Sequence, residues 1–532
     1  MRESPAQSGG GPAAALAALF GHLRSGSLFL CGGGRSAPPG NKEVAAVAAP
    51  RVRKTLTATH LVGLTFFAVS GGDYGIEDAV GAAGPAWTLL GLLVLPWVWS
   101  LPMALMTAEL GSMIPDVGGP IIWVQRAFGP LVAHLNAIVH LVAGFFDLAL
   151  YPVMFADYLR EFHPALRLEG LGRYLLSSGM LGAITLLNLA GVEAVAAVST
   201  VFTALVISPF VALVVVGLPT LDPSAWLIGP PPLATAAAAA AASSAASASA
   251  FEAADMTAAI GADATDVVGG GYLAATGVRW GTFLSVMLWN TSGYDSMGAF
   301  AAEVENPGRD FPRAMVAAIV LITLVYVLPV AVGVSLDDRA SLPSWTDGTF
   351  ARVAAEQVGP WLARWISLGG AISALGILNS LLCAAARNAV SAADIGALPR
   401  VLATVHAPSG TPRLATLCLS LGLLLVISLP FRQLVELSMI LYGATTGLEF
   451  LALVRLRSLE PRTPRPYRMP LADGGVLIAF CVPPLSLCAL LIVLADRLSI
   501  YLFVGSLLLG LVTFPLRGGV HGGPPRLAQE LF

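Results

Sequence analysis

Twelve stretches of mostly apolar residues recur along the chain, at approximately 57–82, 86–113, 131–158, 172–190, 192–218, 280–302, 312–335, 361–391, 412–430, 433–455, 475–495 and 498–516. None alternates apolar and polar residues with period two, and their lengths match the about 20 residues that carry a helix across roughly 30 Å of hydrocarbon. The pattern therefore predicts membrane-spanning helices and excludes a barrel of strands. Two stretches break the rule from within. The first contains SGGDYG at residues 70–75 and the sixth contains NTSGYDS at residues 290–296. Each sets small polar residues around Gly, Tyr and Asp where an apolar helix should continue.

Composition sharpens the class. The 532 residues are 56% hydrophobic and only 11% charged, too few charges to clothe a soluble domain of this size. The fold class predicted is an all-α integral membrane protein with twelve transmembrane helices. Interruptions in the first and sixth helices, five spans apart, suggest a 5+5 inverted repeat with two further helices at the end. Repeat one then covers about 57–218, repeat two about 280–455, and the extra helices about 475–516, within a transporter domain spanning 55–518. Residues 1–54, rich in Gly, Ala, Ser and Pro, are expected to be a disordered cytoplasmic tail, and 519–532 a second one.

The Ala/Ser-rich stretch within 219–278 competes for a thirteenth span, but Glu252, Asp255, Asp263 and Asp266 follow it closely. Parity favours an extracellular loop. With Arg51, Arg53 and Lys54 in the cytoplasm, twelve spans place Arg455, Arg457, Arg462, Arg465 and Arg468 there too, as the excess of basic residues in cytoplasmic loops requires. The net charge of -3 points to no nucleic-acid partner, and five scattered cysteines form neither a disulfide framework nor a metal-ligand spacing.

The candidate chemistry lies in the interruptions and in acids placed within or at the ends of spans. Gly71, Gly72, Gly75 and Gly293 supply backbone freedom and close approach for a ligand, although small residues also pack membrane helices. Asp73, Glu77, Asp78, Glu109, Asp147, Asp157, Asp295 and Glu303 are carboxylates at or within spans. Burying charge in a bilayer costs at least about 2.5 kcal/mol, so each is a functional candidate, and their shared sign suits cationic cargo or protons. Asp73 precedes the second half of helix 1, where the free N–H groups would otherwise receive an anion. It is expected either to repel a substrate carboxylate or simply to cap the half-helix.

In the third span Asn136, His140, Asp147, Tyr151 and Tyr158 share one helical face. Asp147 and Tyr151 are the candidates for cation contact or proton relay, the alternative being an interhelical hydrogen-bond seam. The substrate-binding set expected is Gly71, Gly72, Asp73, Tyr74, Gly75, Asp147, Tyr151, Trp289, Asn290, Gly293, Tyr294 and Asp295. Glu77, Asp147 and His140 are the candidates for proton coupling. Glu303 and Arg309 are expected to form a cytoplasmic gate, with Arg387 anchoring nearby. No catalytic residue, metal site or cofactor is expected other than the proton as coupling ion.

The stretches HLVGLTFFAVSGGDYGIEDAV, SLPMALMTAELGSMIPDVGGPIIWVQRAFGP, FFDLALYPVMFADYL and LWNTSGYDSMGAFAAEVENPGRDFPRA carry a resemblance to the amino acid/polyamine/organocation transporters, in particular the plant and protist polyamine:proton symporters. It covers nearly all of residues 55–500. The resemblance implies twelve helices with helices 1 and 6 unwound around the substrate, and proton-driven uptake of polyamines, with the plasma membrane as the expected site. The chain departs from it in carrying Asp73 where proline is common and Gly293-Tyr294 in place of an aromatic pair. An amino acid carrier of the same fold and a non-transporting nutrient sensor remain the alternatives. The motifs of membrane-embedded hydrolases, H-E-x-x-H and G-x-S-x-G, do not occur, so no enzyme is expected.

Overall fold

The computed structural model describes residues 54–163, 170–229, 278–406, 409–427, 431–493, 495 and 497–516. The expected N-terminal and C-terminal tails, up to residue 53 and from residue 517, and the Ala-rich part of the long loop lie outside the described residues. What is described is helical, apart from two isolated backbone bridges.

The chain runs through α1 (Ala58–Val69), α2 (Glu77–Ala83), α3 (Pro85–Met113), α4 (Gly119–Phe128), α5 (Pro130–Phe162), α6 (Gly170–Ala190) and α7 (Val192–Gly217). After the long loop come α8 (Trp280–Trp289), the 3₁₀ helix α9 (Tyr294–Glu303), α10 (Pro307–Leu336), α11 (Thr349–Gln357), α12 (Pro360–Asp394), α13 (Arg413–Leu423), α14 (Phe431–Leu459), α15 (Gly475–Val493) and α16 (Arg497–Thr513). Every expected span holds a helix. Seven of the described helices are long and apolar enough to cross a bilayer. Two of these helices lie outside the expected spans: α4, whose one apolar face is buried, and α11, in the connection between α10 and α12.

Both predicted interruptions are present. Helix stops at Val69 and resumes at Glu77, and stops again at Trp289 before the 3₁₀ turns that start at Tyr294. The freed backbone groups cannot turn to water in such a setting, and each left alone would cost several kcal/mol. Neighbouring side chains meet them. Ser373 Oγ donates to Gly71 O at 2.5 Å, Ser70 Oγ accepts from Gly72 N, and Glu77 Oε2 accepts from Gly75 N at 2.9 Å. In the second break Ser100 Oγ donates to Thr291 O, while Gly293 N donates to Tyr442 Oη at 3.0 Å.

The two breaks touch each other. Gly293 has φ +102°, and a Cβ there would come within 2.2 Å of the carbonyl oxygen of Ala68, at the end of α1. Farther along, Thr55 N and Leu56 N both donate to Glu303 O, which ties the start of α1 to the end of α9. The first broken helix therefore runs antiparallel to the second, held at mid-length and at one end.

Buried ion pairs lock the same end of the bundle. Glu303 meets Arg387 of α12 at 2.5 Å, and that guanidinium also lies over the Phe300 ring. Glu109 of α3 takes a two-pronged contact from Arg457 of α14 and also accepts from Met469 N. This corrects two expectations. Arg387, not Arg309, is the partner of Glu303, because Arg387 projects from the buried face of α12 whereas Arg309 is exposed in the first turn of α10. Glu109, one of the acids proposed for cargo or protons, is consumed by Arg457.

Gly293→Ala should combine a backbone strain of about 1–3 kcal/mol with the clash on Ala68, and lower the thermal midpoint in detergent by about 5 °C or more. Gly281→Ala, where an added methyl meets nothing within 4 Å, should leave the midpoint unchanged. Equal midpoints for both variants would show that the contact between the breaks carries no stability.

Candidate functional site

A cavity opens beside the breaks, between α1, α5, α8, α9, α12 and α14. From the expected set, Asp147 and Tyr151 of α5, Trp289 and Asn290 at the end of α8, and Gly293 and Asp295 beside the second break line it, and His140 joins them. Their convergence has a local cause. Asp147 and Tyr151 are one helical turn apart, and Pro152, which lacks an N–H, leaves the ladder open just beyond them. Tyr151 Oη and Trp289 Nε1 each donate to Asp147 Oδ1 at 3.2 Å. Asp295 is bridged differently: Tyr442 of α14 donates to its Oδ1, and Oδ2 is buried with no hydrogen-bond partner among the described residues. His140 Nε2 lies 2.9 Å from Asn388 Nδ2, so the ring serves an interhelical hydrogen bond at the cavity wall.

Among the described residues, no Lys or Arg lines this cavity. Two carboxylates, three aromatic rings and several hydroxyl and amide groups form its polar surface. Such a surface attracts an alkylammonium through charge and through ring faces.

The stretch Gly71 to Gly75 falls elsewhere. The cavity takes Ala68, Val69 and Ser70 from the first helix, whereas Gly71, Gly72, Asp73, Tyr74 and Gly75 are not among its lining residues. Asp73 is fully buried, and both its oxygens lack a hydrogen-bond partner among the described residues, so it caps none of them; the N-cap position of α2 is Ile76. Tyr74 is spent on packing: its Oη donates to Ile366 O at 2.9 Å and its ring meets Tyr158 and Phe210 edge-on. Glu77 accepts from Gly75 N, as given above, and no side chain caps α2, so the capping role that was one of the two expected for Asp73 is not filled by it. Tyr294 is 1% exposed and also lies off the cavity. Asn136, at the other end of the α5 seam, is buried without a side-chain partner.

Several residues of the site escaped the sequence pattern. Tyr442 of α14 and Asn388 of α12 were not among the residues that the sequence singled out. Asp347, between α10 and α11, accepts a hydrogen bond from Tyr158 and ends the α5 seam. Asp157, another acid of α5, pairs with Arg173 at 2.7 Å.

An acid-lined cavity with no Lys or Arg among its described lining residues, set against two broken helices that touch, is an arrangement suited to a membrane transport protein. The chain belongs to the amino acid permease family, whose model matches residues 55–512. It is 32% identical over 468 residues to polyamine transporter PUT1 of Oryza sativa subsp. japonica, covering 88% of this chain and 79% of that one. It is 31% identical over 465 residues to polyamine transporter RMV1 of Arabidopsis thaliana, covering 87% and 85%. A branched-chain amino acid permease, BcaP of Bacillus subtilis, is 26% identical over 232 residues, 43% of this chain and 48% of that one.

Outside the spans, burial pushes the Asp347 carboxyl from its ordinary 3.8 up to about 7; Asp78 and Asp157 add to the rise and the Tyr158 hydrogen bond opposes it. The folded chain thus holds a proton there that the unfolded chain has released. Its stabilising contribution is complete below about pH 4 and is lost as pH rises through 7. Between pH 5 and 7 the thermal midpoint of the wild type should fall with pH more steeply than that of Asp347→Asn. Parallel slopes would remove Asp347 from the titrating groups.

Proposed function

We propose that the protein is a secondary active transporter that takes up polyamines or related organic cations together with protons, by alternating access. The observation that carries this reading is the pairing of Asp147 and Asp295 across a cavity that has no basic counter-charge. A protonated amine supplies that charge, Trp289 and Tyr151 flank its alkyl chain, and Asp147 is the principal anchor. Asp73 supports the preference: a buried carboxylate in the unwound stretch of helix 1 is ill-suited to a substrate that brings its own carboxylate. The names of PUT1 and RMV1 agree with a polyamine cargo.

On this reading the chain crosses the membrane twelve times, with α1 and α2 forming span 1 and α8 and α9 span 6. The antiparallel contact of the two broken helices supports a 5+5 inverted repeat. Both termini and the Glu303–Arg387 pair then face the cytoplasm, where that pair holds the inner end of α9 against α12, and the plasma membrane is the proposed location. An amino acid cargo is the second reading, favoured by the local match to BcaP.

Purified protein in proteoliposomes should accumulate radiolabelled putrescine or spermidine when an inward proton gradient is imposed, and leucine not at all. Leucine uptake without polyamine uptake would replace the first reading with the second. Asp147→Asn removes a charged hydrogen-bonding partner worth about 1.5–3 kcal/mol, and so should reduce polyamine uptake at least about tenfold. Near-wild-type uptake would return Asp147 to a structural seam.

A further inference from the structure

The exposed face of α10 changes character along its length. Val316, Val320, Leu324 and Leu328 are 47%, 54%, 51% and 43% exposed and recur every fourth residue, which places them on one face of the helix. Apolar side chains so exposed on a long apolar helix belong against lipid tails. Arg313 stands one turn before Val316 on the same stripe and Arg309 one turn before that, both exposed. The rise from Arg313 to Leu324 is about 16 Å, close to the depth of hydrocarbon in one leaflet. The two guanidiniums therefore stand where the stripe leaves the hydrocarbon, at the level of headgroup phosphates, which long basic side chains at helix ends seek.

Arg309, displaced from the gate by Arg387, forms no ion pair among the described residues, and neither does Arg313. Further cations gather at this end. A Cβ on Gly308 would come within 2.6 Å of Pro466 Cβ, so the start of α10 packs on the segment between α14 and α15 that carries Arg462 and Arg468. Arg468 pairs with Asp473, whereas Arg462 is exposed and has no such partner among the described residues. The backbone bridge between Leu56 and Val304 brings the exposed Lys54 to the same end. The nearby acids are Glu305 and Asp310, and Asp310 Oδ2 accepts from Asn306 N at 3.2 Å.

We propose that this corner binds an anionic phospholipid, its phosphate held by Arg309 and Arg313 and an acyl chain lying along Val316, Val320 and Leu324. Two planar forks one turn apart suit phosphate oxygens, and Arg462 adds charge from the neighbouring segment. An excess of basic residues would orient the chain wherever at this end they stood. Their alignment with one lipid-facing stripe is a separate feature, and it selects a lipid over a soluble phosphate, which has no tail to lay on the valines. The leaflet, though not the binding, rests on the orientation proposed above: this end then meets the cytoplasmic leaflet, where anionic lipids are concentrated.

Native mass spectrometry of the full chain in detergent, titrated separately with dioleoyl phosphatidylglycerol and dioleoyl phosphatidylcholine, tests the site without requiring transport. The wild type should bind the first phosphatidylglycerol at least fivefold more tightly than the first phosphatidylcholine. In the double variant Arg309→Gln, Arg313→Gln that preference should fall within twofold of unity, and Arg313→Gln alone should reduce it about twofold, so a poorly folding double variant still leaves a reading. Arg339→Gln, which breaks an exposed pair with Asp222 beyond the other end of α10, should keep the full preference. Equal binding of the two lipids by the wild type overturns the proposal, as does a preference that survives both Gln variants. Displacement of the bound lipid by an equimolar amount of the tail-less headgroup, glycerophosphoglycerol, also overturns it, since the site is then one for soluble phosphates. Failure of polyamine uptake leaves the proposal standing, because no step of this binding depends on the cargo.

Discussion

Hydrocarbon offers no hydrogen-bond partner, and a helix that stops inside it must find partners in protein. That constraint organises this structure. Two helices stop, and their loose ends are fed by side chains from distant helices: Ser373 for Gly71 O, Tyr442 for Gly293 N, Ser100 for Thr291 O. Gly293 lets the second break lie directly on the first, so each occupies space the other would need to refold as regular helix. The cavity is the consequence. It forms where the helical cylinders have been cut away and where the surrounding polar groups already converge.

The breaks were legible because their signal is local: glycines and polar residues crowded into an otherwise apolar run. The Asp147–Tyr151 pair was legible because helical period places i and i+4 side by side. The unwound stretch has no period, and so the sequence could not tell which of its residues face the ligand. Asp73 and Tyr74 were expected at the cavity and turned out to belong to the packing on the other side of it. The Glu303–Arg387 pair was missed for a different reason. Arg309 is six residues from Glu303 and Arg387 is 84 away, yet the 3₁₀ helix α9 packs against α12 while Arg309 points out from α10.

The intramembrane acids, which shared one reading as a sequence, divide by partner in three dimensions. Glu109 and Glu303 each meet an arginine in a buried pair, and breaking such a pair by removing one partner costs about 3–5 kcal/mol; Asp157 meets Arg173 in a partly exposed pair, which water screens. They hold helices together. Asp147 and Asp295 are met only by hydroxyl and indole donors, and Asp73 and Glu449 by none among the described residues. These four, together with Glu77, which accepts from Gly75 N, are buried acids that pair with no cation among the described residues.

The distribution of those four acids constrains a cycle of the proposed kind. Asp147 and Asp295 see the cavity, so a cation that enters can neutralise them directly. Asp73 and Glu449 are buried and do not line it, so a cation that occupies the cavity does not touch them. Of these two, Glu449 feels the charge of Asp295 and is bound to the same helix face as Tyr442. Charge alone would set a cation at the cavity against a proton at a neighbouring acid, so carrying the two together would rest on the helix movements of alternating access, which decide which side of the membrane each acid faces.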